Sequence, residues 1–94
     1  MFDDNRMGLE FTELAMTLEE DFGIHISSEQ IENVDTVGDA EDLVIGLLRG
    51  RGKPAEQAQV VERVRGRIAE LSSRTLDPKS LTLEMRLTQD LGWG

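Results

Sequence analysis

Residues 13–22 read Glu-Leu-Ala-Met-Thr-Leu-Glu-Glu-Asp-Phe, and the prediction of the fold starts from their pattern. With the residues just before it, it places apolar side chains at three- and four-residue steps: Phe11, Leu14, Ala15, Leu18 and Phe22. That spacing predicts an amphipathic helix from Gly8 to Phe22, and the glycine at position 23 is a natural stop. The opposite face of this helix carries carboxylates: Glu10, Glu13, Glu19, Glu20 and Asp21.

Two helix-start signals follow this segment. Ser27 lies three residues before Gln30, and Thr36 lies three residues before Asp39. In this arrangement each side chain can accept the free backbone amide of the other residue. We therefore expect one or two helical turns after Ser27 and a longer helix that ends near Arg49. The longer helix places its apolar residues on one stripe: Val37, Ala40, Val44 and Leu47.

The second half begins with a connector rich in glycine and proline at residues 50–54. A fourth helix is predicted over residues 55–73, with its apolar stripe at Val61, Val64, Ile68 and Leu71. Four leucines should then pin a long polar loop onto the core: Leu81, Leu83, Leu87 and Leu91. Trp93 either folds back on the core or is exposed for a partner. Strand-like alternation is absent over any useful length, so we predict a single all-α domain.

Composition and charge narrow the function classes. The chain has 94 residues and no cysteine, which excludes a disulfide framework and a thiolate metal site. No apolar run could span a bilayer and no secretion signal is present, so we expect a cytoplasmic protein. Residues 1–48 contain thirteen Asp and Glu against one Arg, whereas residues 49–94 carry a net charge of +3. Such an acidic half disfavours nucleic acid and favours basic protein patches as partners, or it simply keeps the domain soluble, and without an apolar run we expect no membrane contact.

No catalytic site can be assembled from these residue types. The chain has one histidine, no cysteine and no tyrosine, so no nucleophile is paired with a base, and we predict that it is not an enzyme. His25 lies between two isoleucines, and we expect a partly buried structural imidazole there, not a metal ligand. Met16 and the other dispersed methionines are expected to fill gaps in the core. No metal site is predicted.

The stretch from Glu13 to Val44 resembles the acyl carrier protein family. That family has an acidic second helix of the form E-L-x-M-x-L-E-E-x-F, followed at the same spacing by an isoleucine, a short acidic helix and a T-V that opens the last helix. Here these elements are residues 13–22, Ile26 to Glu29, and Thr36 with Val37, and the match needs no gap. The resemblance implies a four-helix bundle of the carrier type.

A second resemblance lies at the other end of the chain, in the reverse order. Asp90-Leu91-Gly92 is similar to the D-L-G that precedes the serine motif of the family, and residues 60–92 resemble its first helix and long loop. The helix order would therefore be II, III, IV, linker, I, with residues 8–49, 50–54 and 55–92 as the three parts. Such a permuted bundle can close within one chain, which would place Trp93 near Met7, or form a domain-swapped homodimer.

The resemblance also identifies what is missing. Aligning backward from Glu13 puts Gly8 at the position of the family's attachment serine, whose oxygen bonds phosphopantetheine. We therefore expect no cofactor, with only a small chance that Thr12 substitutes. The resemblance implies that the acidic helix face docks on basic proteins such as carrier-processing enzymes. Three alternatives remain: a solvated face, a working carrier whose attachment site is unusual or supplied by another chain, and a self-associating helical regulator.

Overall fold

The computed structural model describes residues 9–54, 56–72 and 77–93. It contains four α-helices and one turn of 3-10 helix at Pro78–Ser80. No strand occurs in these ranges; only an isolated antiparallel bridge joins Thr36 to Arg86. The predicted all-α class is therefore confirmed for the described residues. The helices are α1 (Leu9–Phe22), α2 (Ser28–Glu32), α3 (Val37–Gly50) and α4 (Gln57–Leu71).

Both predicted helix-start signals are confirmed as capping boxes. The Ser27 hydroxyl accepts from the amide of Gln30 at 3.1 Å, and the Gln30 side chain accepts from the Ser27 amide at 2.9 Å. Thr36 and Asp39 exchange the same pair of bonds, both at 3.1 Å. These contacts satisfy amides that a helix start would otherwise leave free. At the end of α1, Gly23 adopts a φ of +66°, which a side chain would oppose.

The core lies between α1, α3 and α4, with α2 packed against α1. The predicted stripe of α4 is wrong by one residue: Val60 is buried with Val64 and Ile68, whereas Val61 is only half-buried. Val60, Val64 and Ile68 are four residues apart and fit the helical period as well as the predicted stripe does. The packing of α4 against α1 and α3 determines which of the two stripes faces the core. In α3, Leu48 is buried in place of the predicted Leu47 for the same reason.

Helix α4 runs antiparallel to α1. The Lys53 ammonium, in the connector that leads into α4, donates to the carbonyl of Gly23 at the end of α1, at 3.1 Å. At the opposite end, the Trp93 indole N–H donates to the hydroxyl of Ser72, just beyond α4, at 3.1 Å. The same indole packs edge-on against Phe11 in the first turn of α1, with ring centroids 5.3 Å apart. Each end of α4 therefore lies beside the opposite end of α1.

Residues 77–93, which we call the strap, cross the start of α3. Backbone amides of Val37 and Gly38 each donate to a strap carbonyl at 3.0 Å, that of Met85 and that of Leu83 respectively. A Cβ on Gly38 would lie 3.2 Å from the Leu83 oxygen, a tight contact, so the close approach favours glycine. The strap buries three of the four predicted leucines together with the tryptophan: Leu81, Leu87, Leu91 and Trp93.

The structure contradicts one prediction about the strap, for Leu83, and decides between two alternatives for Trp93. Leu83 was expected to pin the loop, but its side chain is exposed because the residue is held through its backbone carbonyl instead. Trp93, for which two outcomes were open, is buried and folds back on the core of its own chain. The expected neighbour of Trp93, Met7, lies outside the described residues. None of the described helices is long and apolar enough to cross a membrane.

Candidate functional site

The five carboxylates predicted to face a partner fall into two groups in the structure. Glu19 and Asp21 make close contacts with other parts of the chain. The other three, Glu10, Glu13 and Glu20, form no ion pair with any cation of the described ranges. The acidic face of α1 is thus partly an internal contact surface and partly an open one.

Asp21 is held between α1 and α4. Its side chain is only 9% exposed. The guanidinium of Arg67 binds it through two parallel hydrogen bonds, from Nε to Oδ2 at 2.7 Å and from Nη2 to Oδ1 at 2.9 Å, and Arg63 lies 3.5 Å away. The hydrogen bond from Arg67 outweighs the effect of burial and, with the charges of both arginines, holds the pKa of Asp21 below its ordinary value. This carboxylate therefore stabilises the bundle.

Glu19 closes the loop between α1 and α2. Its Oε2 atom accepts the backbone amide of Ile26 at 2.7 Å and lies 3.4 Å from Nδ1 of His25. The expectation of a partly buried His25 is wrong, because the imidazole is exposed. In this extended loop the side chains alternate, so Ile24 and Ile26 enter the core and the residue between them points outward.

The open part of the α1 surface forms a shallow groove of about 250 Å³ beside the end of α4. We call this the α1 groove, and its lining residues are Glu13, Met16, Thr17, Glu20 and Leu71. Met16 is 57% exposed, so the expectation that it fills a gap in the core is wrong. The hydroxyl of Thr17 donates to the Glu13 carbonyl at 2.8 Å, so the groove combines the carboxylates of Glu13 and Glu20 with the apolar side chains of Met16 and Leu71.

Two larger hollows lie beside α4, but neither includes a residue of the helix predicted to face a partner. The hollow of about 680 Å³ is lined by α4 alone, and its arginines, Arg63 and Arg67, are already paired with Asp21. The other, of about 560 Å³, lies between α4 and the 3-10 turn and is mainly apolar. Within the described residues no group of three His, Asp or Glu side chains is placed to hold a metal ion. The α1 groove is thus the stronger candidate for a functional surface.

Comparison with known proteins gives a partial match. The chain is 41% identical over 44 residues to acyl carrier protein 4, chloroplastic, of Cuphea lanceolata, which is 47% of this chain and 32% of that protein. Acyl carrier protein 1, chloroplastic, of the same plant matches at the same identity over 31% of its length. The chain therefore spans about a third of the length of these relatives. No family model and no solved structure matches it. These findings support a relationship to acyl carrier proteins over about half of the chain.

Proposed function

We propose that this chain is an acyl carrier-like, non-enzymatic module that carries no phosphopantetheine and presents an acidic helix face to basic partner proteins. The observation that carries the proposal is the α1 groove. Its two carboxylates, Glu13 and Glu20, are free of described cations and stand on either side of the exposed Met16. They lie in the helix whose sequence resembles the docking helix of carriers.

We further propose the permuted helix order, II, III, IV, linker, I, closed within one chain. What supports it is the antiparallel packing of α4 on α1 and the short connector from α3 to α4. The contact of Trp93 with Phe11 adds support, since it brings the end of the strap to the start of α1. In this arrangement α4 and the strap take the place of the family's first helix and long loop. A domain-swapped dimer would use the same contacts between two copies.

The residues present do not fit a phosphopantetheine group. Attachment needs a hydroxyl at the start of the second carrier helix, and Gly8, which stands at that position and lies outside the described residues, has no side chain. Thr12 is exposed one turn further along α1. The hydroxyl of Ser72, near the same end of the bundle, is occupied by the Ile68 carbonyl and the Trp93 indole. We therefore assign recognition, not acyl transport, to this module.

The proposed partner contact rests on Glu10, Glu13 and Glu20. Glu13 and Glu20 are exposed and Glu10 is half-buried, and such a cluster of carboxylates attracts a basic surface over a distance of about one Debye length and raises the rate of encounter. Glu19 and Asp21, which were predicted to belong to the same face, hold the loop and α4 in place instead, and the charge of Asp21 is neutralised by Arg67. Partner association should therefore weaken as ionic strength rises.

The test uses a phosphopantetheinyl transferase as the basic partner, with intact-mass measurement after incubation with coenzyme A. We expect no mass gain for the natural chain and a gain of roughly 340 Da for Gly8→Ser. Adding Glu13→Lys and Glu20→Lys to Gly8→Ser should slow that gain strongly. A matched pair of reversals on α2, Glu29→Lys and Glu32→Lys, should slow it much less, since both residues are exposed but lie outside the groove.

Each other outcome has a definite meaning. A mass gain on the natural chain, mapped to one residue, would favour a working carrier with an unusual attachment site and would overturn the proposal. A Gly8→Ser chain that stays unmodified would show that the acidic face is not recognised as a carrier surface. Sedimentation at micromolar concentration checks the closed chain, because a swapped dimer would have twice the expected mass.

A further inference from the structure

A closed chain and a domain-swapped dimer of this protein differ mainly in one short segment. In either state α4 packs on an α1 and an α3 of the same sequence, so the contacts of α4 are the same. Only the connector at residues 50–54 changes, because it turns back in the closed chain and has to extend in the swap. The local structure of the connector therefore determines which of the two states is favoured.

The connector turns back on α3 through backbone hydrogen bonds. The amide of Lys53 donates to the Leu48 carbonyl at 2.9 Å, and the amide of Gly52 donates to the Arg49 carbonyl at 3.0 Å. The Arg51 amide also donates to the Leu48 carbonyl, at 3.1 Å. Gly52 adopts a φ of +72°, a left-handed conformation that glycine takes readily and other residues take only at a cost. An extended connector would lose this turn.

The side chain of Lys53 ties the turn to α1. Its ammonium donates to the carbonyl of Gly23 at 3.1 Å and to that of Phe22 at 3.4 Å. The last turn of α1 reads Glu-Glu-Asp-Phe, so α1 has no basic residue of its own at its negative dipole end. A Cβ on Gly23 would lie 2.8 Å from the ammonium, so the glycine leaves room for it. We call this contact the Lys53 clamp.

The two bonds of Lys53 are compatible with a closed chain and not with a swap. Its amide is bonded to α3 while its ammonium is bonded to α1. In a swapped dimer, Lys53 of the second copy would have to take this place while residues 51 and 52 of the first copy leave from it. The two chains would then cross within one residue of each other, so the connector of a swapped dimer cannot keep both bonds.

We infer that the left-handed turn at Gly52 and the Lys53 clamp together form a lock that holds α4 on its own chain and opposes domain swapping. The inference rests on the closed chain of the proposed function and names the residues that maintain it. Pro54 acts in the opposite direction, because a residue that precedes proline is biased toward an extended backbone. Once the turn is lost, the connector should therefore extend.

The expected size of the effect follows from the number of connectors. A cation at a helix C-terminus changes an equilibrium constant by about threefold, and a Cβ on a left-handed residue changes it by about tenfold. Each swapped dimer opens two connectors, so each factor enters the dimer dissociation constant as its square. Loss of the clamp should therefore lower that constant about tenfold, and loss of the turn about a hundredfold.

The first test compares two glycine substitutions that lie two residues apart. Gly52→Ala places a Cβ on the left-handed residue, whereas Gly50→Ala places one where φ is not positive, and neither Cβ would meet an atom within 4 Å. Each chain is unfolded in urea and refolded at high concentration, and sedimentation then gives the dimer dissociation constant. We expect this constant to be about a hundredfold lower for Gly52→Ala. Equal constants, or no dimer of Gly52→Ala, would overturn the inference.

The second test concerns the clamp. Lys53→Met keeps the apolar stem of the side chain and removes the ammonium, so the dimer dissociation constant should fall about tenfold. Lys53→Arg keeps a cation with N–H donors and should restore the natural value. Circular dichroism checks that each variant keeps its helices. An unchanged constant for Lys53→Met would show that the clamp forms equally well between two copies, which would overturn the inference.

Cross-linking distinguishes a swap from any other dimer. The chain has no cysteine, so Met16→Cys with Leu71→Cys introduces a single pair of thiols, one on α1 and one on α4, at the α1 groove. A short bismaleimide links them within one chain in the closed state and between two chains in the swap, and a denaturing gel resolves the two products. Combined with Gly52→Ala, the pair should give linked dimers. Links within each chain of a dimer would overturn the inference.

The outcome is separable from that of the proposed function. If the natural chain with the two thiols is linked between copies at micromolar concentration, the proposed closed chain fails and this inference fails with it. If the natural chain is closed and Gly52→Ala is closed as well, this inference alone fails. Modification of Gly8→Ser by the transferase tests the proposed recognition and depends on neither result.

Discussion

Replacing Arg65 with alanine should destabilise the bundle more than any exposed charge change. Its Nε atom donates to Oε2 of Glu41 in α3 at 2.6 Å, and its Nη1 atom donates to the carbonyl of Leu81 in the strap at 3.0 Å. The Glu41 side chain is 3% exposed and that of Arg65 is 22% exposed. One arginine on α4 therefore joins α3 and the strap across the interior.

The magnitude follows from what Arg65→Ala leaves behind. Removing one partner of a buried ion pair costs about 3–5 kcal/mol, because the other charge is left uncompensated. Arg65 is partly exposed, so water can reach the stranded Glu41 carboxylate, and we expect the lower end, about 3 kcal/mol. A domain of this length has a total free energy of unfolding of about 5–14 kcal/mol. The variant should therefore lose between a fifth and more than half of its stability.

Urea unfolding followed by the fluorescence of Trp93, the single tryptophan, measures this loss, since the indole is buried in the folded chain. The matched control is the double variant Glu41→Met with Arg65→Met, which removes both charges and keeps apolar volume. It should be far less destabilised than Arg65→Ala, because no buried charge remains unpaired. Equal losses in the two variants, or a loss below about 1 kcal/mol for Arg65→Ala, would refute the reasoning.

Three further predictions concern single positions. Trp93→Ala should lower the free energy of unfolding by about 3 kcal/mol, seen as a lower midpoint by circular dichroism, because the buried indole loses its contact with Phe11; an unchanged midpoint would contradict the packing. The pKa of Asp21 is lowered in the folded chain, so its ion pair stabilises the fold fully above the unfolded pKa of about 3.9, and this stabilisation is lost as the pH falls through the lower folded value. In acid unfolding followed by circular dichroism, Asp21→Asn should therefore lack this part of the loss of stability. Gly66→Ala should stabilise α4 by about 0.5–1 kcal/mol, since an added Cβ meets nothing within 4 Å. Gly38→Ala should instead destabilise the chain, because its Cβ would lie 3.2 Å from the Leu83 oxygen. If urea unfolding showed that both substitutions change the free energy of unfolding in the same direction, this reasoning would be contradicted.

The helices were predictable where local chemistry determines them. The Ser27 and Thr36 caps act within three residues, so their effect is visible in the sequence and is confirmed in the structure. The buried face of α4 was not predictable in the same way. Val60 and Val61 are adjacent and either continues a helical stripe, and only the distant contacts with α1 and α3 decide which one enters the core.

In the candidate site, too, the overall charge could be predicted from the sequence, but the long-range ion pairs could not. These ion pairs determine which carboxylates remain available to a partner. Composition reveals an acidic first half and a basic second half, but no local pattern indicates that Asp21 is bonded to Arg67, 46 residues away, or Glu41 to Arg65, 24 residues away. Two arginines of α4 thus neutralise carboxylates of both neighbouring helices. Glu13 and Glu20 of the α1 groove form no ion pair with a described cation, and their charges are screened by salt far more than the buried pairs are. Raising ionic strength should therefore release a basic partner while leaving α4 in place.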